Sequence, residues 1–132
     1  MTFRETLDRH LEAIRHRDLP ALVDTLPAPD ERIVLITAEG KLVRSVKEFI
    51  EMHRDWFRST TWTLETKLVH AFDSDELGVA VLHLDYRDFA PDGTAFRQPS
   101  YLTLVFQHQG GRWVIVQDQN TPVKEPARAV TE

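Results

Sequence analysis

Apolar positions recur at helical spacing in the first part of the chain and at strand spacing through the second. Phe3, Leu7, Leu11 and Ile14 fall three or four residues apart, and Thr2 with Glu5 has the capping-box form, which predicts a helix over residues 2–17. Asp18 can cap a short second helix bearing the stripe Leu19, Leu22, Val23 and Leu26, which ends before Pro27. Two prolines, Pro27 and Pro29, make the next segment a linker. Glu31 to Thr37 and Leu42 to Arg44 then read as a hairpin around Ala38-Glu39-Gly40-Lys41. Ser45 and Glu48 repeat the capping signature, and Val46, Phe49, Ile50, His53 and Phe57 share one face of a third helix that runs to Arg58.

Beyond Thr60 the period changes to two. Residues 61–73, 77–89 and 97–109 alternate as strands, and a fourth strand follows the Gly110-Gly111 turn. Short turns make these strands antiparallel neighbours. Read as an unbroken alternation, the last strand puts Val114, Val116, Asp118 and Asn120 on one face and Trp113, Ile115, Gln117 and Gln119 on the other. An apolar row that ends in a carboxylate and an amide is the pattern of a pocket wall. Helices followed by a long meander predict an α+β fold with the helices on one side of the sheet. Both faces of the strands carry apolar residues, so a second subunit is expected on the side the helices leave free, as a homodimer.

Composition narrows the class. A chain of 132 residues is one domain, here expected over 1–121 with a loosely ordered tail over 122–132. There is no cysteine, which excludes disulfides and thiol chemistry and suits a cytoplasmic setting. A net charge of −5 argues against a nucleic-acid surface, and no stretch approaches the length of a membrane span. The six histidines show no metal-ligand spacing, and no nucleotide or nucleophile motif is present, so no metal or cofactor is expected.

The order of elements, with His16-Arg17-Asp18-Leu19 between the first helices and Gly-Arg-Trp-Val-Ile-Val in the last strand, resembles the nuclear transport factor 2-like superfamily over almost the whole chain. The resemblance is to its SnoaL-like and ketosteroid-isomerase-like members. It implies a cystatin-like cone, in which a curved antiparallel sheet wraps the helices around an apolar cavity and its outer face makes a dimer. It also implies that Tyr101, Thr103 and Val105 point inward, with Val81, His83 and Asp85 on the preceding strand. The isomerase's general base would fall near Thr37 and its oxyanion-binding Asp near Thr103. A threonine cannot replace that base near neutral pH, so steroid isomerisation by the usual residues is not expected.

Two functions are compatible with these residues. In the first, a small, largely apolar ligand occupies the cavity and undergoes acid–base chemistry without a cofactor, of isomerase, cyclase or hydratase type. Asp118 is then the principal catalytic residue, because burial raises a carboxyl pKa, and His83, near Asp85, is the second. Tyr101, Thr103, Asn120 and Asp85 would contact the ligand, with Trp56 and Trp62 at the mouth. In the second, the protein is a non-catalytic homodimeric association module with a filled cavity and Asp118 bound to backbone amides. The structural reading of each residue is packing: a strand histidine, a core tyrosine and two core tryptophans are ordinary architecture.

Overall fold

The computed structural model describes residues 1–124. Helix α1 spans Phe3–Arg15 and is closed at its N-terminus by the reciprocal Thr2–Glu5 capping box. Helix α2, Leu19–Val23, is capped by the Asp18 side chain. Strands β1, Arg32–Ile36, and β2, Leu42–Ser45, form the hairpin, and Ser45 caps α3, Val46–Arg58. Four long strands follow: β3 Thr63–Asp73, β4 Leu77–Phe89, β5 Ala95–Gln109 and β6 Arg112–Pro122. Pro122 still pairs with Ser100, so the strand runs into the segment read as tail; residues 125–132 lie outside the described residues.

All six strands form one sheet in the order β2-β1-β6-β5-β4-β3. The meander is antiparallel, but β1 runs parallel to β6, pairing Val34 to Ile36 with Gln117 to Gln119. A mixed edge of this kind lets the N-terminal hairpin extend the sheet while the helices stay on one side of it.

Which residues face the helices differs from the expectation on β4, β5 and half of β6. Ala80, Leu82, Leu84, Leu102, Leu104 and Phe106 are the buried set, and they belong to the core with Phe3, Leu7, Ile14 and Phe49. Val81, His83, Tyr101, Thr103 and Val105 alternate with them and therefore lie on the outer face, together with Asp85. The cause on β6 is a β-bulge. Phe106 pairs with Ile115 but Val105 pairs with Gln117, which leaves Val116 as the extra residue. The bulge shifts the alternation by one, so Asp118 and Asn120 share the inner face with Trp113 and Ile115 rather than with Val114 and Val116. Trp113, Ile115, Leu102, Leu104 and Phe106 are thus core residues and not a dimer surface.

The core forms where α1 lies on the sheet. The Phe3 ring meets Phe106 edge-on at 5.6 Å and Trp113 at 5.7 Å, and each fully buried side chain of this size contributes about 1.5–3 kcal/mol. Gly78 at the start of β4 permits this contact, since a Cβ there would collide with the Phe3 ring.

The junction between α1 and α2 needs a reversal that Arg17 supplies with a φ of 54°, in the left-handed region. Its guanidinium donates to Ser59 O at 3.0 Å and Trp62 O at 2.6 Å and lies over the Trp62 ring. The junction is thereby tied to the loop that leaves α3.

Candidate functional site

A cavity of about 270 Å³ opens between the inner face of the sheet and helices α1 and α3. Its wall is mainly aliphatic, with Leu35, Leu64, Leu84 and Leu102 from the strands and Met52 and Trp56 from α3. A wider recess of about 440 Å³ shares Trp56, Leu84 and Asn120 with it and adds Tyr86, Gln98 and Ser100, forming the mouth. The inner chamber is near the lower end of the ~300–1,000 Å³ typical of small-molecule pockets.

Asp118 is 5% exposed and lines this chamber. The β6 bulge brings it inward, opposite Leu104 of β5. Asn120 Nδ2 donates to Asp118 Oδ1 at 3.0 Å and to Ile36 O at 3.1 Å, which fixes both polar side chains against β1. No cation pairs with Asp118 among the described residues. Burial pushes its pKa up to about 7, and the Asn120 hydrogen bond, which pulls it down, only partly offsets this. Around neutral pH the carboxyl both holds and releases a proton.

His53 is a site residue that its place in the apolar stripe of α3 does not reveal. It lines the same cavity as Asp118 and is 8% exposed. Its Nδ1 lies 2.8 Å from Phe49 O, one helical turn earlier, and its ring stacks on Phe49 with centroids 4.2 Å apart. Burial lowers its pKa against the opposing effect of the Phe49 carbonyl, so the neutral ring is favoured. Deeper in the core, His10 Nδ1 meets Thr25 Oγ1 at 2.8 Å, while its Nε2 has no partner. Burial, with His53 adding to it, holds His10 down to about 3.

The other expected residues are distributed differently. His83 and Tyr101 face each other across the outer sheet with rings 5.4 Å apart, and Tyr101 is 44% exposed. Asp85, also outside, is bound by Arg97 at 2.6 Å and Arg87 at 3.0 Å. Its slight burial acts to raise its pKa, but the hydrogen bonds and charges of the two arginines outweigh this and hold the carboxyl below its usual range. Thr103 is on the outer face, and the inward neighbours on β5 are Leu102 and Leu104. Thr37 does line the cavity, with its hydroxyl accepting from the Lys41 amide at 2.9 Å. Trp56 forms part of the wall, whereas Trp62 is buried behind it, stacked at 4.2 Å with its Nε1 donating to Trp56 O. The structure therefore brings together Asp118, Asn120 and Trp56 and separates them from His83, Asp85, Tyr101 and Thr103.

Among the described residues no three His, Cys, Asp or Glu side chains converge in a metal-binding arrangement, and no helix is long and apolar enough to cross a membrane.

A family model, that of the SnoaL-like domain, matches residues 4–122. No curated protein matches the chain. Among solved structures, a candidate calcium/calmodulin-dependent protein kinase type II association domain from Thiobacillus denitrificans superposes with a TM-score of 0.76 at 14% identity, covering 93% of this chain and 96% of that one. A candidate dehydratase of the NTF2-like family from Streptomyces avermitilis gives 0.73 at 14% identity, over 91% and 93%. The association domain of C. elegans CaMKII gives 0.63 at 17% identity, over 89% and 91%. At these identities the likeness is one of fold.

Proposed function

The chain belongs to the SnoaL-like domain family, and from that premise we propose that it binds a small, uncharged, largely apolar ligand in the cone cavity and acts on it by proton transfer without a cofactor. The observation that carries this reading is Asp118: a carboxyl buried in an aliphatic wall, without a cation partner, and with a pKa raised to about 7. Burying such a group costs free energy that its Asn120 hydrogen bond offsets only in part, which is the mark of a functional site, and it can donate a hydrogen bond or a proton to one polar atom of a ligand. Asn120 orients it, and Trp56 supplies a flat apolar surface beside it. Among the described residues neither the chamber nor its mouth is lined by lysine or arginine, which disfavours phosphates and carboxylates as ligands.

The outer face supports a second element of the reading, a homodimer. Val79, Val81, Tyr101 and Val105 leave apolar surface on the side without helices. The fold is shared with proteins described as association domains. Dimerisation through this face leaves the cavity free, so the association reading and the ligand reading need not compete.

The test is binding of 2-tetralone, an uncharged two-ring ketone, followed through the Asn120 side-chain amide signals in nitrogen-edited NMR. Those signals are expected to shift on titration, and Leu84→Trp, which fills the chamber, should remove the response. Unshifted Asn120 signals at millimolar ketone, or an unchanged response in Leu84→Trp, would refute ligand binding at this site.

A further inference from the structure

We propose that His53 is the base of this cavity and Asp118 its acid, acting as a pair on an uncharged carbonyl compound that carries an acidic α-C–H bond. This rests on the reading that the cavity binds a small uncharged ligand, and it adds the residue that would remove the proton.

The geometry begins with the tautomer. The Phe49 carbonyl can only accept, so the proton of the neutral imidazole sits on Nδ1, which donates to it at 2.8 Å. Nε2 is then the lone-pair nitrogen. It has no hydrogen-bond partner among the described residues, yet it is not sealed away as His10 Nε2 is, because the ring borders the cavity. The ring cannot turn freely: Phe49 stacks on it, and the edges of Trp56 and Phe57 meet it at 6.0 and 6.1 Å. The Phe49 carbonyl, one turn earlier on α3, and three aromatic rings thus fix the orientation of an imidazole that lines the same chamber as the Asp118 carboxyl. The chamber combines one oriented acceptor and one oriented donor with an apolar remainder. That combination suits a ligand with one C–H bond to lose and one oxygen to be protonated.

Burial supports the assignment of roles. Asp118 is raised to about 7 and His53 is lowered below 6.5, which inverts the usual order in which a carboxyl loses its proton before an imidazolium. Just below pH 7 the pair is therefore mainly carboxylic acid and free imidazole, and at neutral pH a substantial fraction of Asp118 still holds its proton. Charge would disturb this only from nearby groups. Those are His10 on α1, held neutral, and Glu39 in the β1–β2 turn, which is exposed at the rim.

The step balances without a co-reactant. His53 Nε2 takes the α-proton; the C–H pair becomes the new carbon–carbon double bond, and the carbonyl π pair moves to oxygen. That oxygen takes the Asp118 proton, giving an enol, an imidazolium and a carboxylate. Return of a proton to carbon from the imidazolium, and to Asp118 from the enol, restores both groups. In heavy water the imidazolium exchanges before it returns its proton, and the ketone acquires deuterium.

The experiment follows deuterium entry at the α-carbons of 2-tetralone in heavy water by proton NMR, with binding read separately from the Asn120 amide signals. The expected result is exchange faster than in buffer alone, reduced roughly 100-fold or more in His53→Phe and in His53→Gln, with ketone binding retained. Asp118→Asn should lower the rate less, since its amide still donates a hydrogen bond, and His70→Ala on the exposed outer strand should not change it. The wild-type profile should fall as pH drops through the lowered His53 pKa and fall again above about 7 as Asp118 ionises. Binding without exchange, or exchange unaffected in both His53 variants, would overturn the pair while leaving the ligand reading intact. A rate that only rises above about pH 7 would also overturn it, by making the Asp118 carboxylate the base. Absence of binding would overturn both.

Discussion

Leu82, Leu84, Leu102 and Leu104 face the helices, while Val81, His83, Tyr101 and Thr103, interleaved with them on the same two strands, face outward. Both faces carry apolar residues along these strands, with Val79, Val81 and Val105 on the outer one, and yet the inner set is core and the outer set is surface. What separates them is the company each face keeps. α1 and α3 cover one face with Phe3, Leu7, Phe49 and Phe57, and among the described residues no helix covers the other. The two carboxylates tell the same story. Asp118 inside is buried with the Asn120 amide as its one hydrogen-bond partner among the described residues and resists ionisation, and Asp85 outside is held ionised by two arginines.

The contrast can be broken at its strongest point by truncation. Leu104→Ala, at a fully buried position, is expected to cost about 2–5 kcal/mol in urea denaturation, whereas its neighbour Thr103→Ala should cost less than about 1 kcal/mol. Equal costs would mean the two faces are not distinct.

The carboxylates offer a sharper version. Asp118 binds its proton up to about pH 7 in the folded chain but only to about 4 when unfolded. The unfolded state therefore holds fewer protons between those values, and stability from this residue is lost as pH rises from about 4 to 7. Asp118→Asn should be more stable than wild type at about pH 8, by something on the order of 4 kcal/mol, with the gap closing by about pH 4. Asp85, with a lowered pKa, has the opposite sign: its stabilisation is present above the unfolded value and lost as pH falls through the folded one. Carbon-13 titration of the two carboxyls checks both directions. The smallest expected effect on stability is at Val81. Val81→Asp on the outer face should leave the thermal midpoint nearly unchanged while converting a dimer to monomers by light scattering; an unchanged mass would remove the outer face as the partner surface.

Much of the fold was legible because local chemistry agreed with it. The Thr2 and Ser45 caps and the two-glycine turn, with φ of 55° and 82° at Gly110 and Gly111, mark element ends that the structure reproduces. The parallel β1–β6 pair was not legible, since no turn connects those strands. The facing of β4 and β5 could not be read either, because an alternation fixes two faces without saying which is covered. On β6 the Val116 bulge has no sequence signal of its own, and it brings Asp118 and Asn120 onto the inner face that Trp113 and Ile115 already share. His53 did carry a signal that could have been used: an ionisable ring at a core position of an otherwise apolar helical stripe.

The Asn120–Ile36 hydrogen bond joins residues 84 positions apart and sits on the pairing of the first strand with the last. That separation says something about order in time. Local hairpins such as β4–β5 can form early, but the contact between β1 and β6 must close most of the chain into a loop, and loop closure is the slow, entropically costly step. Asp118 and Asn120 are delivered by the strand nearest the chain's end, and Thr37 by the strand they pair with. The cavity wall is therefore complete only when β6 is paired on both of its sides. During synthesis, a chain released only as far as β5 would lack Asp118, Asn120 and the strand that joins β1 to the rest of the sheet.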